Sequence, residues 1–382
     1  MRNGLQHVAR DERGMSLVFV SVGFMAMLSA TTLAIDIGMF MTARSQAQNA
    51  ADAGALAGAV ALTFNDFNDR TATGPAVQSA INTARANGVA GGTVSVTSAD
   101  VTFPNDPDGQ PTRVAVQVFR TAGRSNAIPT LMGTFFGVDR VDVTATATAE
   151  TSPANAMTCV KPFMIPDRWI EKNTPPNTTF DKFTSKGVLL SDADLYIDAN
   201  NLTDYTGYTN GKDVGTQLTL RAGTGDNITP SFYFSWKMPG DIGGDFYREN
   251  IGNCNRSKIV RGTTIIQEPG NKSGPTIQGI QDLIDKDPGA YWNTDCKCVK
   301  GSAFAVSPRV FPIPLYDPAK YAEAKANGRV AEFEIANFLG FFAEPPDGNA
   351  IPGRITQITG VVDKDAGPVP INAFPRAIRL VQ

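Results

Sequence analysis

Hydrophobic positions are spread very unevenly along this chain. From Met15 to Ile35 it reads MSLVFVSVGFMAMLSATTLAI, 21 residues without a charge. As a helix, that run spans about 30 Å, the thickness of a bilayer core. No polar stripe interrupts it, as one would in a buried core helix. The pattern predicts a retained transmembrane helix over 15–41. The competing reading, a cleaved signal peptide, has an apolar region of only about 7–15 residues. No later segment carries a second run of that length.

Beyond the run, Ile37 to Phe64 is dominated by alanine, has no proline and few glycines, and predicts continued helix. Leu56 and Val60 sit at i, i+4, while Arg44, Gln48 and Asp52 line another face. A continuous Met15–Phe64 helix would be a rod of about 75 Å. A second helix is expected over Pro75–Asn87, with proline in its first turn and Asn87-Gly88 at its stop. Strands are expected at Thr93–Phe103 and Thr112–Phe119, joined by PNDPDGQP with a turn at Asp108-Gly109. Val114, Val116 and Val118 alternate with Arg113, Ala115 and Gln117, and Val141–Ala149 alternates similarly.

The pattern changes near Glu150-Thr151-Ser152-Pro153. All four Cys, three Trp and eight Tyr follow it, and alanine thins out. A boundary there predicts an α+β domain over 42–150 and a Cys-bearing β-rich domain over 151–382, sandwich-like or α+β. Its strand candidates are Val188–Leu190, Leu195–Ile197, Gln217–Leu220, Ser231–Met238, Lys258–Ile266, Ala303–Pro308 and Ala377–Val381. Phe232, Phe234, Trp236 and Met238 share one face in that reading. Short helices are expected at Thr276–Lys286 and Pro318–Lys325.

Charge sets the orientation. Arg2, Arg10 and Arg13 precede the apolar run and Asp36 follows it. The positive-inside rule then makes residues 1–14 a cytoplasmic tail and places the remaining bulk across the membrane, in a single-pass architecture. Asp36 is read as marking the interface, where it can reach water. The net charge of -3 gives no general attraction to nucleic acid. Mean hydropathy is -0.14, a mild value that conceals the span.

Composition removes much chemistry. The single histidine is His7, so no Ser-His-Asp triad or His-bearing zinc cage can form in the rest of the chain. Gly240, Gly243 and Gly244 lack the lysine of a nucleotide loop. Asp192, Asp194 and Asp198 lack the glycine and final Glu of a calcium loop, and read as one solvated strand face. Asp363-Lys364-Asp365-Ala366-Gly367 reads as a turn. Asn177, Asn201, Asn227 and Asn271 begin N-x-S/T sequons that turn chemistry explains equally well. The expectation is a non-enzymatic protein without cofactor or metal, with a carboxylate-pair hydrolase as the catalytic alternative.

In an oxidising compartment, Cys159, Cys254, Cys296 and Cys298 predict two disulfides with three possible connectivities. A Cys296–Cys298 bridge closes a very small ring. The expectation is therefore that both pair outward, with Cys159 and Cys254 as partners.

One stretch carries a resemblance. Arg13-Gly14, the apolar run, Ile35-Asp36-Ile37-Gly38, and the segment from Arg44-Ser45-Gln46 through Asn49-Ala50-Ala51-Asp52-Ala53-Gly54-Ala55-Leu56 to Ala59 resemble the N-terminus of TadG-like proteins of the Tad (tight adherence) system, which assembles Flp-type pili in bacteria. The similarity is close over about residues 10–62, and the strands up to Glu150 resemble the family's first extracytoplasmic domain. It implies a pilin-like or pseudopilin-like component of the pilus apparatus, anchored in a bacterial inner membrane with its bulk in the periplasm. The partners implied are membrane lipid, other Tad pilus or envelope proteins and a possible second copy of the chain. The alternative is a membrane-tethered binding or adhesion module reusing the same anchor. Candidate transmembrane and helix-packing positions are Gly14, Gly23, Asp36, Gly38, Gln46, Asn49, Asp52 and Leu56. For Gly23 and the hydroxyl residues of the span, a role in helix association and mere tolerance in any span both stay open. For Ala47–Ala61, packing on the chain's own sheet is favoured over packing on another subunit. Secreted prepilins carry Glu five residues after the cleaved Gly, where this chain has Phe19. The Asp-x-Ser-x-Ser metal motif of many TadG proteins is also absent from the sequence.

Overall fold

The structure, a computed structural model, describes residues 12–65, 69–107, 109–223, 227–270, 272–304, 306–326 and 332–381. Arg2, His7 and Arg10 of the expected tail, Asp108 of the hairpin loop, Asn271 of one sequon and Ala305 of one expected strand lie outside the described residues. The chain divides into two compact units. The first takes the described residues up to Glu150 and those from Arg379 on, and the second takes Thr151–Ile378.

In the first unit the span and the alanine-rich segment form one helix, Glu12–Phe64. Among the described residues it is the one helix long and apolar enough to cross a membrane. Its apolar run is exposed at every residue but Thr32, which is half-buried. From Asp36 onward a buried stripe begins, through Ala43, Ala47, Ala50, Ala51, Ala55, Ala59 and Leu62. That spacing follows one helix face. It packs on a second helix, Pro75–Ala86, whose buried Ala76, Val77, Ala80, Ile81 and Ala84 also share a face.

Both helices lie over a small antiparallel sheet. Strand Arg113–Arg120 pairs with Val143–Pro153, setting Val114 opposite Ala149 and Val116 opposite Ala147. The three alternating valines are buried. The Thr93–Phe103 strand is corrected. Only Val101–Thr102 is a strand, preceded by a 3-10 turn at Ser98–Asp100. Thr97 and Asp100 form a capping box that turns the backbone out of the extended state.

In the second unit six strands close on themselves. Around the ring run Glu332–Ala343, Val310–Tyr316, Phe163–Pro166, Phe232–Ser235, Gln217–Ala222 and Ala350–Thr356, and the last pairs again with the first. Thr264–Ile266 adds at the edge of Glu332–Ala343. All six ring strands contribute to one buried cluster, including Phe163, Leu220, Tyr233, Ile313, Phe341 and Ile351. A face shared by every strand of a closed ring is its inside, so this is a small side-chain-filled barrel. The domain is β-rich as expected, but its main sheet is closed where a sandwich would stack two sheets. A second cluster, with Met164, Phe234, Trp236, Tyr316 and Phe338, uses the opposite strand faces. Neighbouring Tyr233 and Phe234 therefore serve different cores, and SFYFSWKM buries both faces where one was expected.

Several strand expectations in this unit are corrected. Val188–Leu190 and Leu195–Ile197 contribute only isolated bridges, at Leu189 and Leu195. No strand forms among the described residues of Ala303–Pro308. Lys258–Ile266 breaks into Ile259–Val260 and Thr264–Ile266, because Gly262 takes a left-handed conformation between them. Helices Ser273–Lys286 and Pro318–Ala326 form where expected.

The disulfide expectation is also corrected. Cys159 bonds Cys254, and Cys296 bonds Cys298. Cys296 and Cys298 lie in the turn of the Tyr291–Asn293/Cys298–Lys300 hairpin. Lys297 between them is left-handed, which reverses the chain and turns the two sulfurs together. Cys159 is brought to Cys254 by a hydrogen bond from its N–H to the Asn255 carbonyl, 2.9 Å.

Candidate functional site

The N-terminal helix is where the candidate residues concentrate, and Asp36 is its most built feature. The expectation that its carboxylate reaches water is overturned. Asp36 is only 6% exposed. Its oxygens accept the backbone N–H groups of Leu131 (3.0 Å), Met132 (3.1 Å) and Gly133 (2.7 Å). Three converging N–H donors are what a carboxylate needs when it leaves water. The contact pins the loop that opens the 3-10 turn Gly133–Phe136 to the point where the apolar run ends.

Further along, Gln46 accepts the Ala90 N–H at 2.8 Å. Asp52 accepts from the Gln48 side chain at 2.8 Å, and Gln48 also donates to the Thr146 carbonyl. The polar face thus ties the helix to its own sheet. Asn49 is exposed and Leu56 half-buried. Gly14, Gly23 and Gly38 have open space where a side chain would stand. The glycines that set the packing distance are Gly54 and Gly58. A Cβ on Gly58 would stand 2.8 Å from Val114 Cγ1, and one on Gly54 would stand 3.0 Å from Ala84 Cβ. Their small-xxx-small spacing was the signal available in the sequence. The Asp36 partner loop had no such signal, because it lies 95 residues away.

In the second unit the expected solvated face of Asp192, Asp194 and Asp198 is corrected. Asp194 is buried, and accepts the N–H groups of Lys172 and Asp181 (both 2.8 Å). Asp192 and Asp198 accept the Thr174 and Asn200 N–H groups. These carboxylates fold loops by replacing backbone partners. No group of three or more His, Cys, Asp or Glu among the described residues is placed to hold a metal.

Two buried charges stand out. Asp167 accepts the hydroxyls of Tyr205 (2.8 Å) and Tyr196 (3.0 Å) and the N–H groups of Arg168 and Tyr208. Burial lifts its pKa to about 6 despite those four donors. Lys161 donates to the Ile251 and Asn253 carbonyls at the end of helix Gly244–Gly252. Burial first, then the like charge of Lys286, lower its pKa to about 7. Both satisfy backbone or hydroxyl groups.

One cavity of about 630 Å³ opens beside strands Gln217–Ala222 and Phe232–Ser235, at the start of helix Ser273–Lys286. Arg221, Lys272, Ser273, Gln267, Asp347 and Asn349 are among its lining residues. Lys272 is paired with Glu268 at 2.9 Å.

Residues 14–61 match the family model Tad, described as "Putative Flp pilus-assembly TadE/G-like". The match supports a TadG-like protein of the Tad/Flp pilus system, and it covers the helix whose packing face and Asp36 contact are described above. No curated protein and no solved structure matches the chain.

Proposed function

We propose that this chain, carrying a Flp pilus-assembly TadE/G-like segment at residues 14–61, is a non-enzymatic, membrane-anchored structural or assembly component of a Tad pilus apparatus. The observation that carries the reading is a coincidence of position. The matched segment contains the uncharged run Met15–Ile35, exposed at every residue but Thr32, and continues without a break into an alanine face packed on a second helix and a sheet. An apolar surface exposed on all sides of a helix is stable in lipid and costly in water.

In this reading residues 15–41 span the inner membrane, 1–14 are cytoplasmic, and 42–150 and 151–382 are periplasmic domains. The first is pilin-like, and its helix stands on the membrane as a stalk. The second reaches other envelope components, a second copy of the chain among them. A strain lacking the gene is expected to lose assembled pili and to recover them on complementation. Normal pili in that strain would overturn the reading.

The second reading is a membrane-tethered binding module on the same anchor. The cavity with Arg221 and Lys272 in the second unit favours it. Normal pili together with loss of ligand or surface binding would select it.

A further inference from the structure

We propose that the Leu131–Val138 loop is a second membrane contact, dipping into the lipid interface beside the span. This rests on the membrane-anchor reading above. The loop reads LMGTFFGV, and of its five large apolar side chains all but the half-buried Met132 are exposed. Leu131 is 61% exposed, Phe135 81%, Phe136 63% and Val138 48%. Four large apolar groups exposed together on one short loop need a partner in water.

Its position identifies that partner. The loop is held by Asp36, the first charge after the uncharged run, through the N–H groups of Leu131, Met132 and Gly133. Its backbone therefore stands at the depth where the helix leaves the hydrocarbon. Thr32, one turn earlier on the same face, is the one half-buried residue of Gly14–Ile35. Cover on that face thus extends a turn below Asp36, toward the lipid. Apolar and aromatic groups at that level bury about 5–10 Å into the headgroup and acyl boundary.

The arrangement also gives Asp36 a role beyond neutralising itself. A carboxylate at a membrane surface is usually left to water. Here it organises three loop N–H groups, so the apolar side chains are fixed at one height relative to the span. A single helix can tilt and rotate in a bilayer. A second contact rigidly tied to it would limit both motions and set the orientation of the sheet and helices above.

The test uses full-length protein in vesicles of phosphatidylethanolamine and phosphatidylglycerol. All four native cysteines are in disulfides, so one introduced thiol can be labelled selectively. Phe135→Cys and Phe136→Cys, labelled separately with a polarity-sensitive fluorophore, are compared with Ala86→Cys on the exposed end of the second helix. Phe24→Cys within the apolar run reports whether the anchor is inserted. Lipids carry a nitroxide quencher either near the headgroup or at mid-chain.

Several-fold stronger quenching of the Phe135 and Phe136 labels than of the Ala86 label, by the headgroup-proximal quencher, is expected. The Phe24 label should respond to the mid-chain quencher. A quenched Phe24 label with Phe135 and Phe136 labels no different from Ala86 overturns the loop contact and leaves the anchor standing. Loop labels shielded from both lipid and aqueous quenchers would mean a protein neighbour covers the loop, and would also overturn it. An unquenched Phe24 label overturns the anchor and the loop contact together. Asp36→Ala in the Phe135→Cys background is expected to broaden the loop's depth response, because the tether is lost.

Discussion

At the scale of single residues, the fold depends on a few side chains whose roles are set by distant partners. Asp36 satisfies three N–H groups that nothing else in its surroundings replaces. Asp36→Ala should cost about 1–3 kcal/mol, the penalty for stranding buried donors. Hydrogen exchange should show faster exchange at Leu131, Met132 and Gly133 while the helices keep their protection. Gly58 and Gly38 make a second, contrasting pair. Gly58→Ala pushes a methyl group against Val114 and Ala80, and overpacking of that kind costs about 1–3 kcal/mol. Gly38→Ala meets open space and should leave stability unchanged or slightly raised, by up to about 1 kcal/mol, through helix propensity. Chemical denaturation of the two variants beside the parent would check the contrast. Sequence alone could name Asp36 and the glycines as candidates. The i, i+4 spacing of Gly54 and Gly58 could mark them as a possible packing pair, but not show that they pack closely where Gly14, Gly23 and Gly38 meet open space, because that lies in what each glycine faces.

At the scale of elements, local rules succeed where the chain's own periodicity decides the outcome. The long helix, Pro75–Ala86 and Arg113–Arg120 form close to expectation because alanine content, a proline at the start and strict alternation act over a few residues. The barrel strand Val310–Tyr316 is the instructive miss. It carries Pro312 and Pro314, which ordinarily argue against a ladder strand. Alternate residues direct their backbone groups to the same side. Pro312 presents its carbonyl to the Lys161 N–H, away from strand Glu332–Ala343. The neighbour on that side, Phe163–Pro166, pairs only with Leu315 and Tyr316, so the missing donors cost no ladder bond. The disulfides follow the same logic of proximity made by folding. Cys159–Cys254 closes a separation of 95 residues and Cys296–Cys298 one of 2. In the chain-entropy model, losing the first should cost about 4–5 kcal/mol and losing the second much less. Non-reducing peptide mapping should recover these two pairings. Thermal melts of Cys159→Ser/Cys254→Ser and Cys296→Ser/Cys298→Ser should separate the two costs.

At the scale of the whole molecule, each unit has its own buried interior, and we propose 42–150 and 151–382 as folding domains, with the last residues from Arg379 joining the first unit. Calorimetry of the full chain in detergent is expected to show two transitions, of which reductant lowers only that of the cysteine-bearing unit. That unit should also carry a pH signature. The Asp167 pKa is raised to about 6 by burial, whereas an unfolded aspartate titrates near about 4. The folded state therefore holds a proton that the unfolded chain has released between those values. The stabilisation is complete below about pH 4 and is lost as pH rises through about 6. It is on the order of 2–3 kcal/mol. Carboxylates held low, such as Asp282 and Asp363, change stability in the opposite sense, so the informative quantity is a difference. The parent minus Asp167→Asn should lose relative stability from pH 4 to 6 and change little from 7 to 9. A difference that stays flat across pH 4 to 6 would show that Asp167 remains ionised when folded.

Sequence by itself determined the anchor-like run, its continuation as a helix, the second helix, the valine face of the small sheet and the β-rich character of the remainder. All of these follow from patterns that repeat within a few residues, where side-chain period and backbone geometry are directly coupled. Tertiary structure alone decided the closure of six strands into a ring, the disulfide pairs, the burial of Asp36, Asp167 and Asp194, and the outward-facing apolar loop at Leu131–Val138. Apart from Cys296–Cys298, where a left-handed Lys297 turns two near neighbours together, each of these brings together groups tens to hundreds of residues apart, or depends on which of two faces a neighbour covers. Local pattern fixes what a segment is able to bury, but the partner that buries it is chosen by the packing of the whole chain.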